Sequence, residues 1–159
     1  MKIKIVCVGK IKEKYFVEAI SEYLKRLSSY TNVEIIEVSE YKINDNPSNK
    51  DIEKVLEEES KDLLKKIKND DYVIALDLQG KDIDNYKYNK IIDTAKNNGK
   101  SSFVFIIGGS YGLSNKIREK ADFLWKFSNL VFTHQMIRVI LLEQIYRGFK
   151  IGNNEPYHK

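Results

Sequence analysis

The sequence has one cysteine (Cys7), two histidines and two prolines in 159 residues. A lone cysteine excludes an intramolecular disulfide and a cysteine-built zinc site. With only two histidines beside it, no metal centre is expected. Two prolines and eight glycines leave no composition for a long flexible linker. No apolar run approaches the ~18 residues that span a bilayer. The opening stretch Ile3-Lys4-Ile5-Val6-Cys7-Val8 is too short and too broken by charge for a signal peptide, and it reads as a strand. No membrane partner is expected, and the chain reads as soluble and cytoplasmic. Ser-His-Asp spacing, a paired-carboxylate signature and a Walker A loop are all missing, so hydrolase and nucleotide-hydrolysing chemistry find no support.

What is present is ordinary for a globular chain. Hydrophobic residues make up 42% and charged residues 31%, which excludes wholesale disorder and collagen-like repeats. The length fits a single domain over 1–159 with a substantial core. The net charge of +4 is unevenly placed. Residues 1–100 carry 19 cationic and 19 acidic side chains, and residues 101–159 carry 8 and 4. The whole excess lies in the last third, where an anionic partner would be met.

Hydrophobic spacing predicts five strands, at 3–8, 33–38, 72–78, 102–107 and within 122–128. It predicts helices at 14–27, from 49 to about 68, at 85–97, at 114–121 and at 134–146. Ser48-x-x-Asp51 is a capping signature for the second helix, and Asn98-Gly99 is a stop for the third. The charges of the second helix read as a solvated face, with Glu57/Lys61 and Asp62/Lys66 as pairs. Strands alternating with helices define an α/β class with a mostly parallel sheet flanked by helices. The last helix is apolar over most of its circumference, which predicts burial on more than one side, by the sheet and by a second subunit or by the chain's own core.

Ligands of open parallel sheets bind beyond the carboxyl ends of the strands. Three such ends stand out: Leu76 to Lys81, Gly108-Gly109-Ser110-Tyr111-Gly112, and Phe127 to Thr133. Three glycines in five residues let a backbone approach a ligand closely. The end of the chain, Pro156-Tyr157-His158-Lys159, carries an aromatic, a titratable imidazole and a cation.

Four segments in order carry a more specific signal: Phe103 to Leu113, Phe127 to Arg138 with Thr133-His134-Gln135-Met136, Leu142-Glu143-Gln144-Ile145-Tyr146-Arg147, and the terminal Pro156-Tyr157-His158-Lys159. At these spacings and over the whole chain, the sequence resembles the ribosomal large-subunit RNA methyltransferase H family of the SPOUT class. The resemblance implies an α/β sheet with a C-terminal trefoil knot, a device that composition and periodicity do not reveal. It implies a homodimer that takes a methyl group from S-adenosyl-L-methionine to N3 of pseudouridine-1915 in helix 69 of 23S rRNA, on the assembled ribosome. A non-catalytic RNA-binding module on the same fold is the alternative.

Carried onto this chain, the resemblance implies a donor pocket of Leu76, Gly108, Phe127, Ser128, Asn129, Leu130, Val131 and Phe132. It implies catalytic places for Tyr157, His158 and Arg147, and RNA contacts for Arg147 and Arg138. Tyr111 and Tyr157 are candidates for stacking on a base. The family usually has Pro where this chain has Thr133. Threonine caps a helix where proline would stiffen its start, so the fold is expected to hold.

Overall fold

The computed structural model describes residues 1–157. The strands are β1 (Lys2–Val8), β2 (Asn32–Val38), β3 (Tyr72–Asp82), β4 (Ser102–Ile107) and β5 (Phe123–Lys126). The helices are α1 (Lys14–Leu27), α2 (Asn49–Leu64), α3 (Asn85–Asn97), α4 (Asn115–Lys120) and α5 (His134–Gly152). All five strands run parallel in one sheet of order β2-β1-β4-β3-β5.

Strand alternation divides the core. Ile3, Ile5 and Cys7 of β1 and Phe103, Phe105 and Ile107 of β4 face α1, α3 and α5, meeting Leu27, Ile92, Leu141, Leu142 and Ile145. Their neighbours Val6, Val8, Val104 and Ile106 face the other way, toward Leu63 of α2 and Ile117 of α4. The result is a sheet covered on both faces, as an all-parallel sheet requires. Burial pushes the Cys7 thiol up to about 11, so it packs as a small hydrophobe and is not a nucleophile.

Local chemistry accounts for the helix ends. Ser48 and Asp51 form the expected reciprocal capping box. Gly99, at φ +84°, ends α3 with the Lys100 amide donating to the Ala95 carbonyl at 3.0 Å. Thr133 Oγ1 accepts from the Met136 amide at 3.3 Å, so threonine does cap α5.

Several expectations change, among them the end of α2, which stops at Leu64 and not near Lys68. β3 does not stop at Leu78. It continues to Asp82 with a shifted register on β5, because Gly80 lets the two backbones meet: a Cβ there would lie 2.7 Å from the Leu124 carbonyl. α5 does not stop at Tyr146 but runs to Gly152. Its apolar girth is explained largely within the chain, since it lies on the sheet between α1 and α3. On α2, Asp62 pairs with Lys65 at 2.9 Å and not with Lys66, and Glu59 is buried, so that face is not wholly solvated.

Candidate active site

Because β3 is hydrogen-bonded between β4 and β5 and all three are parallel, their carboxyl ends share one edge of the sheet. Leu76, Gly108 and the run from Phe127 to Phe132 are thereby brought to that edge.

Each loop is held differently. At the register shift within β3 that follows Leu76, Asp77 accepts from the Gln79 amide at 2.8 Å and from Arg118 Nε at 2.8 Å, tying this bulge to α4. After β4 the glycines fold back on themselves. The Gly112 amide donates to the Gly109 carbonyl at 3.0 Å, with Gly112 at φ +78°. Ser110 Oγ donates to Glu40 at 3.1 Å. After β5, Phe127 meets the Trp125 ring edge-on at 4.3 Å, Asn129 accepts from Lys126 Nζ at 3.0 Å, and Ser128 Oγ accepts from the Leu130 amide at 2.9 Å. Leu130 and Val131 then project outward, 71% and 79% exposed, with Phe132 and Met136 also exposed. Such a cluster of apolar side chains on one edge marks a surface that something covers.

Glu59 lies behind the glycine loop and was missed by the sequence reading. It is 3% exposed. Its Oε1 accepts from the Tyr41 amide at 3.3 Å, and a Cβ on Gly109 would stand 3.1 Å from its Oε2. Burial, helped by the nearby Glu40 carboxylate, pushes its carboxyl up to about 7, against the pull of the Tyr41 amide. The raised value means the folded chain holds a proton that the unfolded chain has released between about pH 4.5 and 7. Stability therefore falls as pH rises through that window, by about 3 kcal/mol in all. Urea unfolding at pH 5 and pH 8 checks this. The wild type is expected to lose that amount, whereas Glu59→Gln, which cannot ionise, loses distinctly less. Equal losses would refute the assignment to Glu59.

The second group of predicted residues gathers on the outer side of α5. Arg147 Nε donates to Glu143 Oε1 at 3.1 Å, the Tyr157 hydroxyl donates to the same oxygen at 3.2 Å, and the Arg147 guanidinium lies 4.8 Å from the centre of the Tyr157 ring. Partial burial, with Glu143 next, pushes the Tyr157 phenol up to about 12. Tyr157 thus keeps its proton at neutral pH and acts as a donor. Glu143 was not singled out as a site residue, although its i,i+4 spacing to Arg147 was visible. His158 lies outside the described residues. Glu143 stands nine residues into α5, about 14 Å along the axis from the end that carries the strand-edge loops. Within one chain the two groups are therefore separate.

Arg138 does not face RNA. It is wholly buried, donating to Glu37 at 2.7 Å and to the carbonyls of Val8 and Gly9 at 3.0 and 2.7 Å. Two cavities lie away from the predicted pocket. One, of about 180 Å³, lies between α3 and α5 beside Tyr88, Asn89 and Gly152. The other, of about 470 Å³, is lined by Tyr41, Asn44, Lys54 and Glu58. Among the described residues no cluster of three His, Cys, Asp or Glu is arranged to hold a metal, and no helix is long and apolar enough to cross a membrane.

Comparison with known proteins gives this geometry its class. The family model described as predicted SPOUT methyltransferase matches residues 1–158. The crystal structure of a protein described as a probable methyltransferase from Bordetella pertussis Tohama I superposes with a TM-score of 0.56 at 10% identity, covering 92% of this chain and 93% of that one. Two relatives align over 100% of both chains: ribosomal RNA large subunit methyltransferase H of Halothermothrix orenii, 50% identical, and ribosomal RNA large subunit methyltransferase H 1 of Clostridium perfringens, 48% identical. The chain belongs to the ribosomal RNA large subunit methyltransferase H family of SPOUT methyltransferases.

Proposed function

We propose that this protein transfers a methyl group from S-adenosyl-L-methionine to N3 of the helix 69 pseudouridine of 23S rRNA on the assembled ribosome. The observation that carries the reading is the meeting of the β3 register shift at Leu76 with the loops after β4 and β5, in a chain half identical, over its whole length, to a methyltransferase H. A cytoplasmic homodimer is the working form, one domain per chain with the family's C-terminal knot.

The residues fit the donor. Leu130, Val131 and Phe132 offer exposed apolar side chains for an adenine beside the half-buried Leu76 and Phe127, and Gly108 offers a backbone that a ligand can approach closely. When bound, the donor supplies an electrophilic methyl group. The chain's own part is to hold and orient, which is where much of the rate of such a transfer arises. Tyr157 donates a hydrogen bond, Arg147 presents positive charge beside it, and His158 orients the base or assists loss of the N3 proton. The part of this apolar edge that the donor leaves uncovered, with Met136 exposed beside it, is the contact for a second copy. A second copy would also supply a tail to loops that lie far from the chain's own.

The test uses ribosomes from cells lacking this methylation, the purified protein and isotope-labelled S-adenosyl-L-methionine, with mass spectrometry of the rRNA. Label on the helix 69 pseudouridine is expected. Donor binding with label elsewhere would redirect the substrate assignment. RNA binding with neither donor binding nor label would favour the non-catalytic module.

A further inference from the structure

α5 ends in a built turn. Asn153 closes the helix and Asn154 takes φ +55°, a left-handed conformation that asparagine tolerates better than most residues. The Asn154 amide donates to the Ile151 carbonyl at 3.0 Å and the Glu155 amide to the Lys150 carbonyl at 2.8 Å, the paired bonds of a Schellman motif. The next side chain is then gripped from three directions. Glu155 Oε2 accepts from the Tyr30 hydroxyl at 2.8 Å and from Lys150 Nζ at 2.5 Å, and its Oε1 accepts from Asn153 Nδ2 at 3.2 Å. Lys150 first, then Tyr30 and Asn153, hold the Glu155 carboxyl down at about 2, so the acceptor stays charged across the working range. Tyr30 is itself fixed, stacked on Phe149 at 5.3 Å in the turn between α1 and β2.

One residue, Pro156, separates this anchor from Tyr157. Proline fixes its own φ and restrains the residue before it to an extended conformation. An anchored Glu155 followed by a stiff proline sets the direction in which the tail leaves the helix. The Tyr157 ring then stands edge-on to Tyr146 at 5.0 Å, with its hydroxyl on Glu143.

We propose that Glu155 is a positioning residue for methyl transfer: gripped by Tyr30, Lys150 and Asn153, it fixes the exit of the tail and so the place of Tyr157. This rests on the reading of Tyr157 as an active-site residue. Glu155 itself touches neither donor nor base.

The test compares Glu155→Ala, Tyr30→Phe, Tyr157→Ala and the Glu155→Ala/Tyr157→Ala double variant of the full chain in the ribosome assay. Donor affinity, Tm and the rate at which carboxypeptidase releases the terminal residues are measured alongside. Glu155→Ala is expected to lower kcat roughly tenfold, as small misplacements near a reacting group do. Donor affinity and Tm stay at wild-type values and terminal release quickens. Tyr30→Phe falls between. The double variant is no slower than Tyr157→Ala alone, since Glu155 acts through that residue. A Glu155→Ala enzyme at full kcat beside a crippled Tyr157→Ala would overturn the anchor and leave the role of Tyr157 standing. Tyr157→Ala at full kcat would remove that role, and the anchor with it. A loss in Glu155→Ala matched by weaker donor binding or a lower Tm would make Glu155 a structural residue only.

Discussion

Gly108→Ala is expected to abolish measurable binding of S-adenosyl-L-methionine while the sheet still folds. The glycine sits where β4 ends and the chain turns back. A Cβ there would stand 2.4 Å from the Gly112 carbonyl oxygen and 2.7 Å from its carbon, both backbone atoms that no rotamer change moves aside. The turn must open. It cannot open inward, because Gly109 already faces Val8 and Glu59, and a Cβ there would lie 3.0 and 3.1 Å from them. The displacement therefore goes toward the open edge, where Leu76 and the run after β5 meet it in the proposed donor pocket. Phe103 to Ile107 are locked between two layers of helices and stay in place. A loss of at least a hundredfold in affinity, about 3 kcal/mol, is expected by titration calorimetry. Tm should fall only a few degrees. Gly99→Ala is the control. It strains a left-handed turn with open space around it, far from the pocket, and costs stability without donor affinity. Unchanged affinity in Gly108→Ala would remove this loop from the donor pocket.

How far the sequence foretold the molecule depends on whether the cause was local. α1 and α3 occupy the predicted ranges, because apolar spacing and the Asn98-Gly99 stop act over a few residues. Where the cause is tertiary, the reading went astray. Gly148 looks like a helix breaker, yet α5 runs through it because α3 passes so close: a Cβ at Gly148 would stand 2.5 Å from the Tyr88 ring. Gly80 is the same lesson in a strand. Glu59 shares a run with Glu57 and Glu58, and nothing in that run tells which of the three turns inward. The strand-end rule holds for the loops after β4 and β5, since parallel strands share a direction, and fails for Leu76 to Lys81, which stays in β3. The naming of single residues within those loops came from the resemblance, because backbone contacts leave little trace in side-chain identity.

Arg138 is the sharpest case, and its replacement by alanine is the second large effect: a loss of about 4 kcal/mol in unfolding free energy. An arginine on the last helix of a basic segment invites a role on RNA. The structure gives it instead to the junction of β1, β2 and α5, with no exposure at all. Its guanidinium serves two carbonyls at the end of β1 and the Glu37 carboxylate from β2, and Glu37 also accepts from the Ile11 amide at 3.1 Å. Glu37 is partly exposed and rehydrates when its partner goes, so the ion pair itself is the smaller share. The larger share is the two carbonyls left buried and unpaired, at about 1–3 kcal/mol each, and the hollow left by one of the largest wholly buried side chains. Arg138→Met separates these contributions. It refills most of the volume and restores none of the hydrogen bonds, so it should recover only part of the loss. Arg138→Lys keeps a charge but cannot reach three acceptors with a planar fork, and is expected to lie between methionine and the wild type. Urea midpoints at one fixed protein concentration rank the three, since dimerisation would otherwise shift the apparent values. Full recovery by methionine would move the weight to packing and make the carbonyl contacts dispensable.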